Sequence, residues 1–330
     1  MSIRDLISKV QSTEWYLREG SALAEQKYEE GWIANILQEA YNQVSGNYQH
    51  QCNVSVSAPN INIAMRFLYL KTKGLLTLEL NKIAARSRPK LSCLEKQIRG
   101  ERSVYADFAL YQLGKMGYAT MSSLYSQRNL AALADKVNEM VIPANSSRAW
   151  MQGEQVLKHN EVLEFISDPT IWYIAQEYLN CQPILNEVQL WKSEPFNEAL
   201  HNKSKDALEW HFDHDHNRFL LFLIYLSDVK LSNGPHQCIP KSSFENMPSF
   251  MTYDGRYEDV VIERSGCKSL AFTGGMGDII VADTINLHRG LPVNEGRRLV
   301  MQLRFVDSTG FTPRDDFNIY GKLQRELLYA

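Results

Sequence analysis

Residues 210–229 read WHFDHDHNRFLLFLIYLSDV, a polar run followed by the longest apolar run of the chain, Phe219 to Leu226. That apolar run predicts a buried strand. His211 and Asp213 lie two residues apart just before it, so in an extended chain both side chains point to the same side. A solvated hairpin mouth is the competing interpretation, and a His-x-Asp pair alone indicates a metal site only weakly. The stretch predicts a buried strand with a candidate ligand pair at its entrance.

Two further residues complete a candidate site. His288 follows a second predicted strand, residues 278–282, and Arg298 opens a third. Two imidazoles and one carboxylate can occupy one face of a ferrous ion, which leaves positions free for a co-substrate and oxygen. Arg298 adds a permanently charged, forked donor of the kind that binds a dicarboxylate such as 2-oxoglutarate. Together these residues indicate an oxygenase.

The composition is that of an ordinary globular protein. The 330 residues are 44% hydrophobic and 22% charged, with a formal net charge of -3. This balance gives no electrostatic reason to expect binding to nucleic acid or to an anionic membrane. Five scattered cysteines without a CxxC pair argue against a disulfide framework or a zinc ribbon. No signal peptide is visible, and the longest apolar run is too short to cross a bilayer. We expect a cytoplasmic protein.

Helical patterns dominate the first half of the chain and strand patterns the second. Residues 1–104 are predicted to be mostly helical, and further helices are predicted within residues 108–117, 129–140, 160–179 and 321–328. A short strand is predicted after Gly117, and further strands at 187–192, 208–212, 219–228, 269–272, 278–282 and 298–305. Many short strands with Gly and Pro turns favour a jelly roll or barrel with helices packed on one sheet.

Residues 105–310 resemble the phytanoyl-CoA dioxygenase family of Fe(II)- and 2-oxoglutarate-dependent oxygenases. The pieces that carry the resemblance occur in the family's order: Leu113-x-x-Met116-Gly117-Tyr118, Asp168-Pro169-x-Ile171-x-x-Ile174-Ala175, Trp210-His211-x-Asp213, Tyr225-Leu226-x-Asp228-Val229, Asn233-Gly234-Pro235, Pro240-x-Ser242, Gly277-Asp278, and His288-x-Gly290 with Arg298. The resemblance implies an α+β fold. A double-stranded β-helix core (jelly-roll or cupin-like) would occupy residues 105–330, with helices on one sheet, and residues 1–104 would form a mostly helical N-terminal extension.

The resemblance also implies the ligand set and the chemistry. His211, Asp213 and His288 would be the catalytic iron ligands, with 2-oxoglutarate and oxygen as co-substrates. Because chloride takes the place of the carboxylate in halogenases of this fold, Asp213 favours hydroxylation over halogenation. Desaturation, epimerisation and ring formation stay open, since they use the same iron site.

Arg298 would pair with the distal carboxylate of 2-oxoglutarate, and Arg297 is its rival. The family's loop after the second His is usually one residue longer, which favours Arg297. Arg298 is preferred because Phe305 then matches the aromatic that closes this strand in the family. The alternation of side chains along the predicted strand supports the same choice. Arg298 shares a face with the polar Gln302 and Arg304. Arg297 shares the other face with Leu299, Met301 and Leu303, where burying an arginine without a partner would be costly.

Position 290 departs from the family pattern, which often places Ser there to help hold the co-substrate. This chain has Gly290, so another polar group must fill that role. Lys192, on the first predicted core strand, is a candidate. A surface lysine at a strand end is the alternative.

The resemblance fixes no substrate. A small molecule from a natural-product, amino-acid or glycan pathway is expected. A non-catalytic protein that retains the fold and a cupin-like isomerase or hydrolase are the other two classes; the complete residue set and the arginine near His288 argue against them. Residues 1–104 could serve as a lid, a homodimer surface or part of the substrate pocket.

Overall fold

Two antiparallel sheets form the centre of the structure, a computed structural model that describes residues 2–13, 32–45, 58–98, 100–122, 124–197, 207–252 and 255–308. The helix predicted at 321–328 lies outside these ranges. The first sheet has the strand order β1-β9-β5-β11-β3-β2 and the second the order β7-β4-β10-β6-β8. The strands are β1 (Tyr118–Met121), β2 (Arg148–Gln152), β3 (Ile184–Ser193), β4 (Trp210–His211), β5 (Phe219–Tyr225), β6 (His236–Cys238), β7 (Arg256–Tyr257), β8 (Leu270–Ala271), β9 (Ile279–Ala282), β10 (His288–Gly290) and β11 (Arg298–Val306).

Helices precede the sheets and interleave with their first strands. They are α1 (Ile3–Gln11), α2 (Trp32–Ser45), α3 (Ala58–Lys71), α4 (Leu75–Ser87), α5 (Ser92–Gln97), α6 (Glu101–Met116), α7 (Gln127–Asn138), α8 (Glu154–Leu157), α9 (Asn160–Ile166), α10 (Pro169–Leu179) and α11 (Asp259–Ser265). Local signals explain several ends. The Asp168 side chain caps α10 with Pro169 in its first turn. Gly117, at φ 77°, ends α6.

The six-stranded sheet has two different faces. Alternate residues of β11, Leu299, Met301 and Leu303, belong to one large buried cluster with α4, α7 and α10. Leu6 of α1 and Leu80 of α4 lie in the same cluster, so the N-terminal helices share the core that covers this face of the sheet. The opposite face contributes Leu223, Tyr225 and Val300 to a smaller cluster with Cys238 of the five-stranded sheet. The two sheets therefore face each other.

Every strand predicted from the sequence is present, although several are shorter than predicted. The strands β2, β6, β7 and β10 were not predicted. The boundary expected after residue 104 falls within the first turn of α6. No helix in the described ranges is long and apolar enough to cross a membrane.

Candidate metal centre

Two neighbouring strands bring the candidate histidines together. In the five-stranded sheet β4 pairs with β10, and His211 and His288 are direct partners across this pair. Partners in an antiparallel pair project from the same face of the sheet. The two imidazole centroids lie 4.2 Å apart. Residues far apart in sequence thus meet on the face that looks towards the six-stranded sheet.

Main-chain carbonyls orient both rings. His211 Nδ1 lies 2.7 Å from the carbonyl oxygen of Glu209, and His288 Nδ1 lies 2.9 Å from that of Asn286. A carbonyl only accepts, so each Nδ1 carries the proton and each Nε2 presents a lone pair. Neutral imidazoles held in this way are suited to bind a metal ion.

Asp213 places its carboxylate between the two Nε2 atoms. Its Oδ1 lies 3.9 Å from His211 Nε2 and its Oδ2 3.5 Å from His288 Nε2. The Asp213 amide donates to the carbonyl of Thr284, which fixes the backbone beside β9. One ligand atom from each of the three residues lies within 4.8 Å of the others. This is a two-histidine, one-carboxylate group of the kind that holds iron on one face.

The electrostatics of the site favour a neutral imidazole at His211. Burial lowers the pKa of His211 well below its usual value, and His288 lowers it further. The Asp213 side chain is 31% exposed, so this carboxylate faces open space while both histidines are buried.

The metal group opens into a cavity of about 160 Å³ between the sheets. The six-stranded sheet provides most of its wall, and the five-stranded sheet provides His211 and His288. It is lined by Arg148, Trp191, Ala207, His211, Asp213, Leu221, Leu223, Tyr225, His236, His288, Gly290, Arg298, Val300, Gln302 and Arg304.

Arg298 lies in this cavity as a buried cation. It is 3% exposed, and it makes no hydrogen bond or ion pair to any described residue. Burial lowers the pKa of Arg298, as expected for a guanidinium without an anionic partner. Its neighbour Arg297 is exposed to solvent. The structure therefore brings Arg298, and not Arg297, to the candidate metal group.

Lys192 does not reach the cavity. Its strand partner is Leu299, so it lies on the helix-covered face of the sheet. Its ammonium donates to the carbonyls of Asn138 and Met140 and pairs with Glu194. The adjacent Trp191 points the other way and lines the cavity. Strand alternation thus separates Lys192 from the site.

Several lining residues were not predicted from the sequence as site residues. Gln302 and Arg304 share a strand face with Arg298, and that alternation was a usable signal. Arg304 lies 3.1 Å from Glu187 and 3.2 Å from Asp215, so a buried ionic network adjoins the cavity. Arg148 and His236 come from short strands that the sequence pattern did not reveal.

The three polar residues after Asp213 have structural contacts. The His214 ring packs at 4.8 Å from Tyr69, and its Nε2 lies 3.4 Å from Thr77 Oγ1 in α4. Burial lowers the pKa of His214 to about 3. Asp215 binds Arg304, and His216 is buried. None of the three lines the cavity.

Comparison with known proteins finds structural neighbours only. No family model and no curated protein matches the sequence. Solved structures that resemble the chain include the epimerase SnoN in complex with Fe3+, alpha ketoglutarate and nogalamycin RO, with a TM-score of 0.49, 14% identity, and coverage of 63% of this chain and 85% of that one. EctD from S. alaskensis with bound Fe has a TM-score of 0.45, 15% identity, and coverage of 60% and 75%. HygX from Streptomyces hygroscopicus with nickel, 2-oxoglutarate and hygromycin B has a TM-score of 0.46, 14% identity, and coverage of 60% and 86%. Likeness at this level assigns no activity to the chain.

Proposed function

We propose that this protein is an Fe(II)- and 2-oxoglutarate-dependent dioxygenase with a double-stranded β-helix core, related to the phytanoyl-CoA dioxygenases. One observation carries the proposal: His211, Asp213 and His288 converge in a cavity that also holds the buried guanidinium of Arg298, which has no anionic partner among the described residues. A lone metal-binding group would not need a buried cation. A buried cation is costly unless an anion joins it, and a dicarboxylate that also reaches the metal would do so.

Each residue has a defined task in this proposal. His211, Asp213 and His288 hold the ferrous ion through Nε2, a carboxylate oxygen and Nε2. Arg298 binds the distal carboxylate of 2-oxoglutarate and so orients its keto-acid end towards the metal group. Leu221, Leu223 and Val300 line the same cavity with apolar side chains that exclude water.

The bound iron supplies oxygen activation, with 2-oxoglutarate as the source of two electrons. One oxygen atom enters succinate as carbon dioxide is released, and the other enters the substrate as a hydroxyl group. The Asp213 carboxylate favours hydroxylation of a C–H bond in a small molecule. Desaturation, epimerisation and ring formation are the alternative outcomes of the same site.

The unit that carries this activity is proposed to be residues 105–330, with residues 1–104 as a helical extension packed against it. Leu6 of α1 and Leu80 of α4 belong to the same buried cluster as residues of β11, which supports that packing.

Anaerobic spectroscopy tests the proposal. Adding Fe(II) and 2-oxoglutarate to the protein should produce the visible charge-transfer band of a keto acid chelated to iron. The Asp213→Ala variant should lose this band and any substrate-stimulated succinate formation, because one of three ligands is missing.

Two results would count against the assignment. Iron binding without a band on adding 2-oxoglutarate would leave a metal-binding protein of another class. An unchanged band in Asp213→Ala would mean that the ligand set is different. A screen of amino acids, acyl thioesters and sugar nucleotides for stimulated succinate release would then identify the substrate.

A further inference from the structure

His236 is a polar residue of the cavity that the proposed mechanism does not use. It is 8% exposed and lies on β6. Its Nε2 is buried and makes no hydrogen bond to any described residue. A buried polar atom without a partner costs free energy. An unpartnered imidazole in the wall of a ligand cavity therefore indicates a contact that the ligand completes.

Strand register places His236 beside Arg298. His236 is the direct partner of Gly290 on β10, so the two positions project from the same face of the sheet. A β-carbon built on Gly290 would lie 3.3 Å from Arg298 Nη2. The His236 side chain therefore projects towards the side of the sheet on which the Arg298 guanidinium lies. An anion bound to Arg298 comes within reach of this ring.

The same geometry explains the glycine at position 290. A side chain there would meet Arg298 Nη2 at 3.3 Å and Arg148 Nη2 at 3.7 Å. A β-carbon at this position would require the Arg298 guanidinium to shift by a few tenths of an ångström. A polar group opposite the co-substrate would then come from another strand, and His236 is the cross-strand partner of Gly290.

Aromatic neighbours hold the His236 ring. It stacks on Phe272 with centroids 5.8 Å apart at an interplanar angle of 19°, and its centroid lies 5.5 Å from that of His288. Contact with these two rings restricts the imidazole and presents a preorganised donor.

We propose that His236 donates a hydrogen bond to the carboxylate of 2-oxoglutarate that Arg298 binds, in place of a hydroxyl at position 290. This assignment depends on the proposed function, because the ligand is the co-substrate. It makes His236 a residue for dicarboxylate recognition, distinct from the three metal ligands.

Two keto acids test the assignment. 2-Oxoglutarate and 2-oxopentanoate have the same metal-chelating end, but only the first has a distal carboxylate. Each is titrated anaerobically into the Fe(II) protein, and the charge-transfer band gives its Kd. His236→Phe should weaken 2-oxoglutarate by about ten- to a hundredfold, the loss of a hydrogen bond to a charged group. The Kd of 2-oxopentanoate should not change.

Further variants serve as controls. His236→Gln keeps a donor and should stay within a few-fold of the wild type, and His236→Leu repeats the test if the larger phenyl ring prevents folding. Gln237 is the next residue of β6, and its side chain binds Ser269 and Arg289 instead of the cavity. Gln237→Ala should therefore leave both keto acids unaffected.

The outcomes separate the two proposals. Equal 2-oxoglutarate affinity in His236→Phe and wild type would overturn the role of His236 and leave the proposed function intact. Weakening of both keto acids, or weaker Co(II) binding measured by visible absorption, would mean that His236 supports His288 instead, which also overturns it. Absence of the band in the wild-type iron protein would overturn the proposed function and this assignment with it.

Discussion

Two adjacent arginines differ in environment at the scale of single residues. Arg298 is buried in the cavity, whereas Arg297 is exposed. We expect Arg298→Gln to raise the Kd of 2-oxoglutarate by at least about thirtyfold, because loss of one partner of a buried charge pair costs about 2 kcal/mol or more. Arg297→Gln is the matched control and should bind 2-oxoglutarate as the wild type does. The anaerobic charge-transfer titration measures both.

The reverse pattern would be informative. If Arg297→Gln weakened 2-oxoglutarate binding and Arg298→Gln did not, β11 would have to be shifted by one residue relative to the cavity.

The meeting of His211, Asp213 and His288 could be expected from the order of motifs along the chain, but the residues around them could not. His211 and Asp213 are two residues apart just before an apolar strand, and in the structure both side chains line the same cavity. His236 reaches the cavity through a three-residue strand whose position depends on pairing with β10. Lys192 is an example of a residue whose strand was predicted but whose side was not. It lies on β3 as expected, but its side chain points to the helix-covered face of the sheet and not into the cavity.

At the scale of elements, the turn into β6 depends on a glycine. Gly234 has φ +69°, and a β-carbon there would lie 2.4 Å from the carbonyl oxygen of Leu291 and 2.8 Å from the amide of Val293. These contacts are with backbone atoms, so the strand connection after β10 would have to move. We expect Gly234→Ala to destabilise the protein by about 2–5 kcal/mol, from left-handed strain together with overpacking.

Gly266 provides the control for strain alone. It has φ +71°, but nothing lies within 4 Å of its β-carbon position. Gly266→Ala should cost only about 1–2 kcal/mol. Urea unfolding of both variants gives the difference. Equal losses would show that the approach of Leu291 to Gly234 is not a tight contact in solution.

Element prediction worked where a strand was long and apolar. The strands β5 and β11 are fully buried and were recognisable from composition. The strands β6, β7 and β10 have two or three residues, and their ladders form only because distant segments align. The residues within such a short segment do not indicate which distant segment it will pair with.

At the scale of the whole molecule, α4 connects the N-terminal helices to the candidate site. The Asn217 side chain donates to the carbonyl of Thr77 in α4 and to the carboxylate of Asp307. The Asn81 side chain, also in α4, donates to that same carboxylate at 3.0 Å and to the carbonyl of Leu179. Asn217 lies shortly after Asp213, so the backbone that carries a candidate ligand is tied to a helix outside the proposed core.

These ties predict that α4 and the sheets unfold together. In native-state hydrogen exchange, amides of α4 should share the opening free energy of β5 and β11, since cooperative units exchange as one. Co(II) binding stabilises the folded state by mass action. It should therefore slow exchange in α4 as well as in the sheets. Asn81→Leu should lower protection in both regions by about 1–3 kcal/mol, because a buried carboxylate loses a donor.

Gln38 offers a matched control, because it is an exposed residue of α2 whose side chain, among the described residues, binds only Asn42 of its own helix. Gln38→Ala should leave exchange in the sheets unchanged. If Co(II) protected the sheets but not α4, the N-terminal helices would be a separate unit that merely rests on the core. Asn217 binds Thr77, and Asn217 and Asn81 share the Asp307 carboxylate. These ties make the opposite result the expected one, since neither side can open without leaving buried polar groups unpaired.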